Sequence, residues 1–260
     1  MHYSAYFACD KDKSSFVITE GKRGKGMAEI LDVLRTEQKY RLNLQEMRKM
    51  EYVLEALLQT DAHSMGGSYL VRSLYFDTPD DRDFYEKLDG YENRKKIRLR
   101  VYSPGADRAK LELKEKQGSL QRKRSLTLDR EQALRLSQGD YEVLVEEGSE
   151  FALELYGRMR ELLYRPKCLV EYDRRAFTAY ENDTRVTLDS NLRASECALE
   201  LFAENPALYP VDPPGMGTME LKYNRFLLSY VKKAVSLPSY MQTSSSKYGA
   251  ARDVLLGKED

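Results

Sequence analysis

The residues best placed to do chemistry are charged side chains recurring at every second position. Arg98 and Arg100 alternate with Ile97, Leu99 and Val101, and Glu112, Lys114 and Lys116 alternate with Leu111 and Leu113. A period of two marks β-strands. One such strand normally turns its charges to water. Here at least five segments repeat the pattern. A closed barrel would let their charged faces converge inside while the apolar faces pack under helices.

The inward set predicted on this basis is Glu37, Lys39, Arg98, Arg100, Glu112, Lys114, Lys123, Arg174, Arg185, Glu220 and Lys222. Arg grips phosphate through two parallel hydrogen bonds and Lys does so as a point charge. So many ions cannot be buried dry, because desolvation costs several kcal/mol per ion. The expected interior is wet and suited to a polyanion. The three carboxylates suit Mg²⁺ or Mn²⁺, which bridges carboxylate and phosphate oxygens. Phosphoryl transfer by positioning and charge neutralisation follows. The alternative is a sheet with one salt-bridged, solvated face.

The elements that must position these residues read as follows. Leu34–Leu42 is the first strand, and Asn43 with Glu46 forms a capping box before a helix. Tyr69–Phe76 is the second strand, and Thr78-Pro79 opens a short helix ending at Gly90. Strands at Asn93–Tyr102, Leu111–Lys116 and Gln121–Leu128 lead to a helix capped by Asp129. Ser149–Arg165 reads as a longer helix closed by Pro166. Strands at Lys167–Thr178, Thr184–Leu188, Cys197–Phe202 and Thr218–Tyr223 follow, with a helix at Arg225–Val235 and a last short helix. This is an α+β chain: a closed antiparallel barrel, or tunnel, of about eight strands with helices packed outside.

Composition excludes several classes. The 260 residues carry 42 Lys+Arg against 42 Asp+Glu, so the chain lacks the overall basic charge of a nucleic-acid binder. Two histidines, His2 and His63, and three scattered cysteines, Cys9, Cys168 and Cys197, argue against His-based triads and cysteine zinc sites. The cysteine usage fits a cytoplasmic location. No apolar run is long enough to span a membrane. Residues 1–26 end in the Gly/Lys/Arg run before Met27. They are expected to be a weakly ordered, non-native leader, with Met27 the initiator and residues 27–260 one domain.

Several motifs carry a family resemblance. They are Arg35-Thr36-Glu37-Gln38-Lys39-Tyr40, Ser73-Leu74-Tyr75-Phe76-Asp77-Thr78-Pro79, Lys96–Tyr102, Leu111-Glu112-Leu113-Lys114, Glu171–Phe177, Arg185–Asp189, Met219-Glu220-Leu221-Lys222 and Ser246-Lys247-Tyr248. In this order they resemble the VTC domain, the polyphosphate polymerase domain of the triphosphate tunnel metalloenzyme (CYTH-like) superfamily. The resemblance implies transfer of the ATP γ-phosphate onto a polyphosphate chain with Mn²⁺ or Mg²⁺. It implies catalytic roles for Lys39, Arg98, Arg100, Lys114 and Lys247. Phosphate-binding roles fall to Lys123, Arg174, Arg185, Lys222 and Ser246, and metal-binding roles to Glu220, Glu37 and Glu112. Lys123 and Arg124, and Arg174 and Arg175, compete for the inward positions. Arg35 stands where the wider superfamily has an additional Glu, which matches the polymerase branch. A triphosphate hydrolase on the same fold and a non-catalytic polyphosphate-binding module are the rival expectations. Yeast-type members also carry membrane domains not seen in these residues, so threading product across a membrane would need a separate membrane-protein partner.

Overall fold

The computed structural model describes residues 29–31, 36–118, 120–235 and 241–257. The expectations for residues 1–26 and for Arg35 lie outside them.

Among the described residues one antiparallel sheet of twelve strands organises the chain. Four strands are only two or three residues long: β1 (Glu29–Leu31), β3 (Gln59–Thr60), β10 (Tyr209–Pro210) and β12 (Met241–Gln242). The other eight are β2 (Thr36–Leu42), β4 (Tyr69–Asp77), β5 (Asn93–Val101), β6 (Arg108–Gln117), β7 (Leu120–Asp129), β8 (Arg165–Ala179), β9 (Thr184–Ser195) and β11 (Gly217–Tyr223). Their order is β7-β6-β5-β4-β8-β9-β11-β2, with β1 beyond β7 and β12 beyond β2. No hydrogen-bonded ladder joins the two ends among the described residues, so the expected closed barrel is not formed by backbone pairing. Side chains bridge the seam instead. Lys114 on β6 reaches Glu37 on β2 at 3.1 Å, and Lys96 on β5 donates to Ser246 Oγ at 2.6 Å.

Alternation sorts the faces as the sequence indicates. Ile97, Leu99, Val101, Leu111, Leu113, Leu126 and Leu128 lie in one outer apolar cluster. Covering it are α3 (Arg130–Ser137), α4 (Glu142–Glu147) and α5 (Glu150–Glu161). A second outer cluster joins Leu42, Phe177, Val186, Leu188, Met219 and Leu221 to α1 (Leu44–Leu57) and α6 (Ser229–Val235). Not every helix is outside. Helix α7 (Lys247–Leu255) packs Tyr248 and Ala251 on the inner residues Val71, Tyr75, Val170 and Tyr172. It occupies the concave face of the sheet.

Local signals decide most ends. Asn43 and Glu46 form the predicted capping box, and Asp129 makes another with Gln132. Thr78-Pro79 does not open the short helix. That helix, α2, spans Arg82–Leu88. Its first turn is held by Asp77, whose carboxylate accepts from the backbone N–H groups of Asp83 and Phe84 at 2.9 and 3.1 Å. Helix α5 ends at Glu161, before Leu163 at φ +54°, and Pro166 belongs to β8. Cys197–Phe202 forms no strand. Its Leu201 and Phe202 join the first outer cluster, and the Leu201 and Ala203 carbonyls accept from buried Arg72. Gly217 marks a close approach, since a Cβ there would lie 2.7 Å from the Asp189 carbonyl oxygen.

Candidate active site: a cationic bore

The inner positions of β2, β5, β6, β7, β8 and β11 converge on a cavity of about 350 Å³, closed on one side by the segment ending in Ser246 and Lys247. Among the described residues thirteen Lys and Arg side chains and four carboxylates line it, so the lining carries a large positive excess.

Two ion clusters form its inner part. In the first, Glu112 on β6 accepts from Arg98 Nε at 2.6 Å, lies 3.8 Å from Arg100 Nη1 and contacts Lys123. Burial alone would raise the Glu112 pKa, but Arg98, Arg100 and Lys123 together hold it far below the usual range. Arg98 also donates to the Tyr75 hydroxyl at 3.2 Å, and Arg100 to Ser73 Oγ at 3.1 Å.

The second cluster joins β8, β9, β11 and the start of α7. Arg174 donates to both oxygens of Asp189, at 2.6 and 2.7 Å, and to Glu220 at 3.4 Å. Lys247 contacts Asp189 at 2.6 Å and Glu220 at 3.0 Å. Its ammonium also lies 4.6 Å from the Tyr172 ring centre. Burial opposes the Lys247 charge, but Asp189 and Glu220 outweigh it and raise its pKa. Lys222 binds Glu220 at 3.1 Å. Lys39 joins Glu37 at 3.2 Å to Glu220 at 3.7 Å. Burial would raise Glu37, yet Lys222, Lys114 and Lys39 hold it at about 2.

Toward the seam the balance changes. Lys87, Arg94, Lys96 and Lys116 line the same cavity. Lys96 is pushed down to about 7, first by burial and then by Lys39, Lys87 and Lys114. Lys87 is lowered by burial, Arg94, Lys39 and Lys116.

Of the predicted residues, Glu37, Lys39, Arg98, Arg100, Glu112, Lys114, Lys123, Arg174, Glu220, Lys222, Ser246 and Lys247 meet at this cavity. Arg185 does not line it. Its guanidinium turns to Asp61 at 2.9 Å and the Tyr69 hydroxyl at 3.3 Å. Both open choices resolve geometrically. Arg124 faces Glu154 on α5, and Arg175 faces Glu51 and Glu55 on α1, leaving Lys123 and Arg174 inside. Ser246 also caps α7, accepting from Gly249 N at 3.0 Å. Sequence reasoning missed Asp189, although it shares the inner parity of Arg185 on β9. It also missed Lys96, two positions before Arg98. Lys87 sits on a helix, where a period of two gives no signal.

The three candidate metal ligands do not form one cage, and no group of three or more His, Cys, Asp or Glu side chains suited to a metal occurs among the described residues. Glu112, held by Arg98, Arg100 and Lys123, stands apart from the other two, and Glu220 is itself held by Lys39, Arg174, Lys222 and Lys247. Glu220 and Glu37 share Lys39 and face the bore. Two carboxylates facing a phosphate-binding bore could hold a hard cation only if phosphate and water supplied its remaining ligands.

A curled antiparallel sheet thus surrounds a cationic, carboxylate-bearing bore. The chain belongs to the VTC domain family, whose profile matches residues 34–256. Solved structures with a similar fold include a Hippeastrum adenylyl cyclase candidate described as having a dominant triphosphatase activity. It matches with TM-score 0.50 and 14% identity, over 84% of this chain and 96% of that one. A Pyrococcus horikoshii protein gives 0.45 at 11% identity, over 86% and 99%. A Bacillus halodurans adenylate cyclase candidate gives 0.43 at 14%, over 85% and 87%. At these identities the likeness concerns fold alone. None of the curated proteins matches by sequence. No helix among the described residues is long and apolar enough to cross a membrane.

Proposed function

We propose that the chain is a polyphosphate polymerase, transferring the γ-phosphate of ATP onto a polyphosphate end inside the bore. The observation that carries this reading is the pairing of the bore's carboxylates with cations: Glu112 meets Arg98, Arg100 and Lys123, and Glu37 and Glu220 meet Lys39, Lys114, Lys222 and Lys247. Glu37 is held at about 2, and Glu112 and Glu220 also titrate below their ordinary range. Such groups are poor general bases near neutral pH. Hydrolysis and cyclisation benefit from a base that activates water or a hydroxyl. A polyphosphate end arrives already ionised and needs none. Positioning and charge neutralisation then suffice.

In this reading Arg98, Arg100, Lys39, Lys114 and Lys247 grip the reacting phosphates. Lys123, Arg174, Lys222 and Ser246 hold the flanking ones. Arg185 acts from the rim. Glu220, with Glu37 beside it, would hold Mn²⁺ or Mg²⁺, whose contribution is to neutralise charge shared between phosphate oxygens. Glu112 orients Arg98, Arg100 and Lys123.

The test is incubation of purified protein with ATP and Mn²⁺, followed by gel analysis. Long chains are expected. Orthophosphate alone would favour a triphosphate hydrolase, and tight polyphosphate binding without turnover would favour a binding module.

A further inference from the structure

Beyond the phosphate-gripping zone the inner face changes character. On β5 the inward row runs Lys96, Arg98, Arg100, and its next member is Tyr102. On β4 the inward row runs back from Tyr75 through Ser73 and Val71 to Tyr69. The two tyrosine rings meet at 6.1 Å between centres, inclined at 55°. His63 adds a third ring, 6.0 Å from Tyr69 at 53°. These rings lie just beyond the residues that line the cavity, with Tyr69 packed against the cluster of Val71 and Tyr172. Tyr102 is 42% exposed and belongs to none of the apolar clusters.

The group is held in place rather than loosely arrayed. Arg185 donates to the Tyr69 hydroxyl and is neutralised by Asp61. Asp61 also accepts from the His63 backbone N–H at 3.0 Å. The loop is pinned to β8 by Asp61 N to Ala176 O at 2.9 Å and by Ala176 N to Ser64 Oγ at 3.0 Å. Arg100, which lines the bore, and Tyr102 are successive members of the same inward row, two positions apart. The cationic zone and the aromatic rim are therefore continuous.

We infer that Tyr102, Tyr69 and His63 form a stacking platform for the base of a nucleoside triphosphate whose phosphates lie in the bore. A fixed set of rings beside a cationic groove, with Tyr102 and His63 exposed and Tyr69 half-buried, is an arrangement that receives a nucleobase, because every base offers a π-face. The spacing agrees. Tyr102 lies four positions beyond Arg98, about 13 Å at ~3.3 Å per residue, leaving room for phosphates and a ribose between them. An inorganic polyphosphate has nothing to place on these rings. The platform thus distinguishes the nucleotide donor from the inorganic acceptor. This rests on the phosphate-binding reading of the bore.

Calorimetric titration of the full chain with ATP and, separately, with inorganic tripolyphosphate tests it. Tyr102→Ala is expected to weaken ATP binding about ten-fold and to leave tripolyphosphate affinity within about two-fold. Tyr102→Phe, which keeps the ring, restores the unmodified ATP affinity. Equal losses for both ligands, or none for ATP, overturn the platform while leaving the bore intact as a phosphate site. If the unmodified chain binds neither ligand, the bore reading fails and the platform with it.

Discussion

The two parts of the bore solve the problem of buried charge differently. Around Asp189, Glu220 and Glu112, each cation faces a carboxylate, so its side chain is held by an ion pair before any ligand arrives, although the cations still outnumber the carboxylates. Toward the seam, Lys96, Lys87 and their neighbours mainly face one another, and Lys96 is pushed down to about 7. The first region is preorganised, with side chains held in geometry by salt bridges that fold with the protein. The second is an unmet demand for anion. A preorganised grip supplies transition-state stabilisation. A like-charged region supplies affinity, because a polyanion relieves its repulsion.

Breaking the grip should have the largest effect. Arg98→Ala or Arg100→Ala is expected to lower turnover by about 10²–10³-fold or more, as loss of a preorganised charge donor does, with the fold retained. Full activity in both would refute the assignment of the bore. Asp189→Asn should destabilise the folded chain by about 3–5 kcal/mol, since Arg174 and Lys247 lose their shared partner. Denaturant unfolding measures this, and an unchanged midpoint would mean that the cluster is solvated.

The seam should respond in the opposite sense. Lys96→Met should leave the ligand-free protein as stable or more stable, yet weaken polyphosphate binding. If it destabilises the free protein as Asp189→Asn does, the contrast between the regions is false.

pH separates them more finely. The Lys96 pKa falls from 10.5 to about 7 on folding. The unfolded chain therefore binds more protons between those values, and this residue makes stability rise with pH across about 7 to 10.5. Glu37, lowered from 4.5 to about 2, contributes stability present above 4.5 and lost as pH falls toward 2. Thermal melts of the Lys96→Met and Glu37→Gln variants should each lose the corresponding slope. The smallest effect sought is in the metal dependence. Glu220→Gln should shift the metal titration of activity to higher concentration, and an unchanged curve would remove Glu220 as a ligand.

Much of this was legible in sequence because strands impose a strict parity. Once Ile97 and Leu99 are known to be core, Arg98 and Arg100 must face the other way. Where parity weakens, so does the reading. Arg185 has inner parity, but Asp61 captures its guanidinium, a contact made by residues 124 positions apart. Lys87 reaches the bore from α2, whose start is held by the Asp77 carboxylate and the Thr78 hydroxyl and falls three residues after Pro79. Closure was not legible either. Whether a curled sheet completes its ladder depends on how its ends meet, and here Glu37, Lys114, Lys96 and Ser246 meet through side chains. The inner position of α7 was also hidden, because Tyr248 and Ala251 would suit either face of the sheet.

The most direct test is a titration of the ligand-free protein with inorganic tripolyphosphate at pH 8, in buffers of different ionisation enthalpy. One ligand should bind per chain, with proton uptake as Lys96 regains its charge beside the anion, and that uptake should fall in Lys96→Met. No binding, or binding whose affinity is unchanged when Arg98 and Arg100 are both replaced by Ala, would contradict the account.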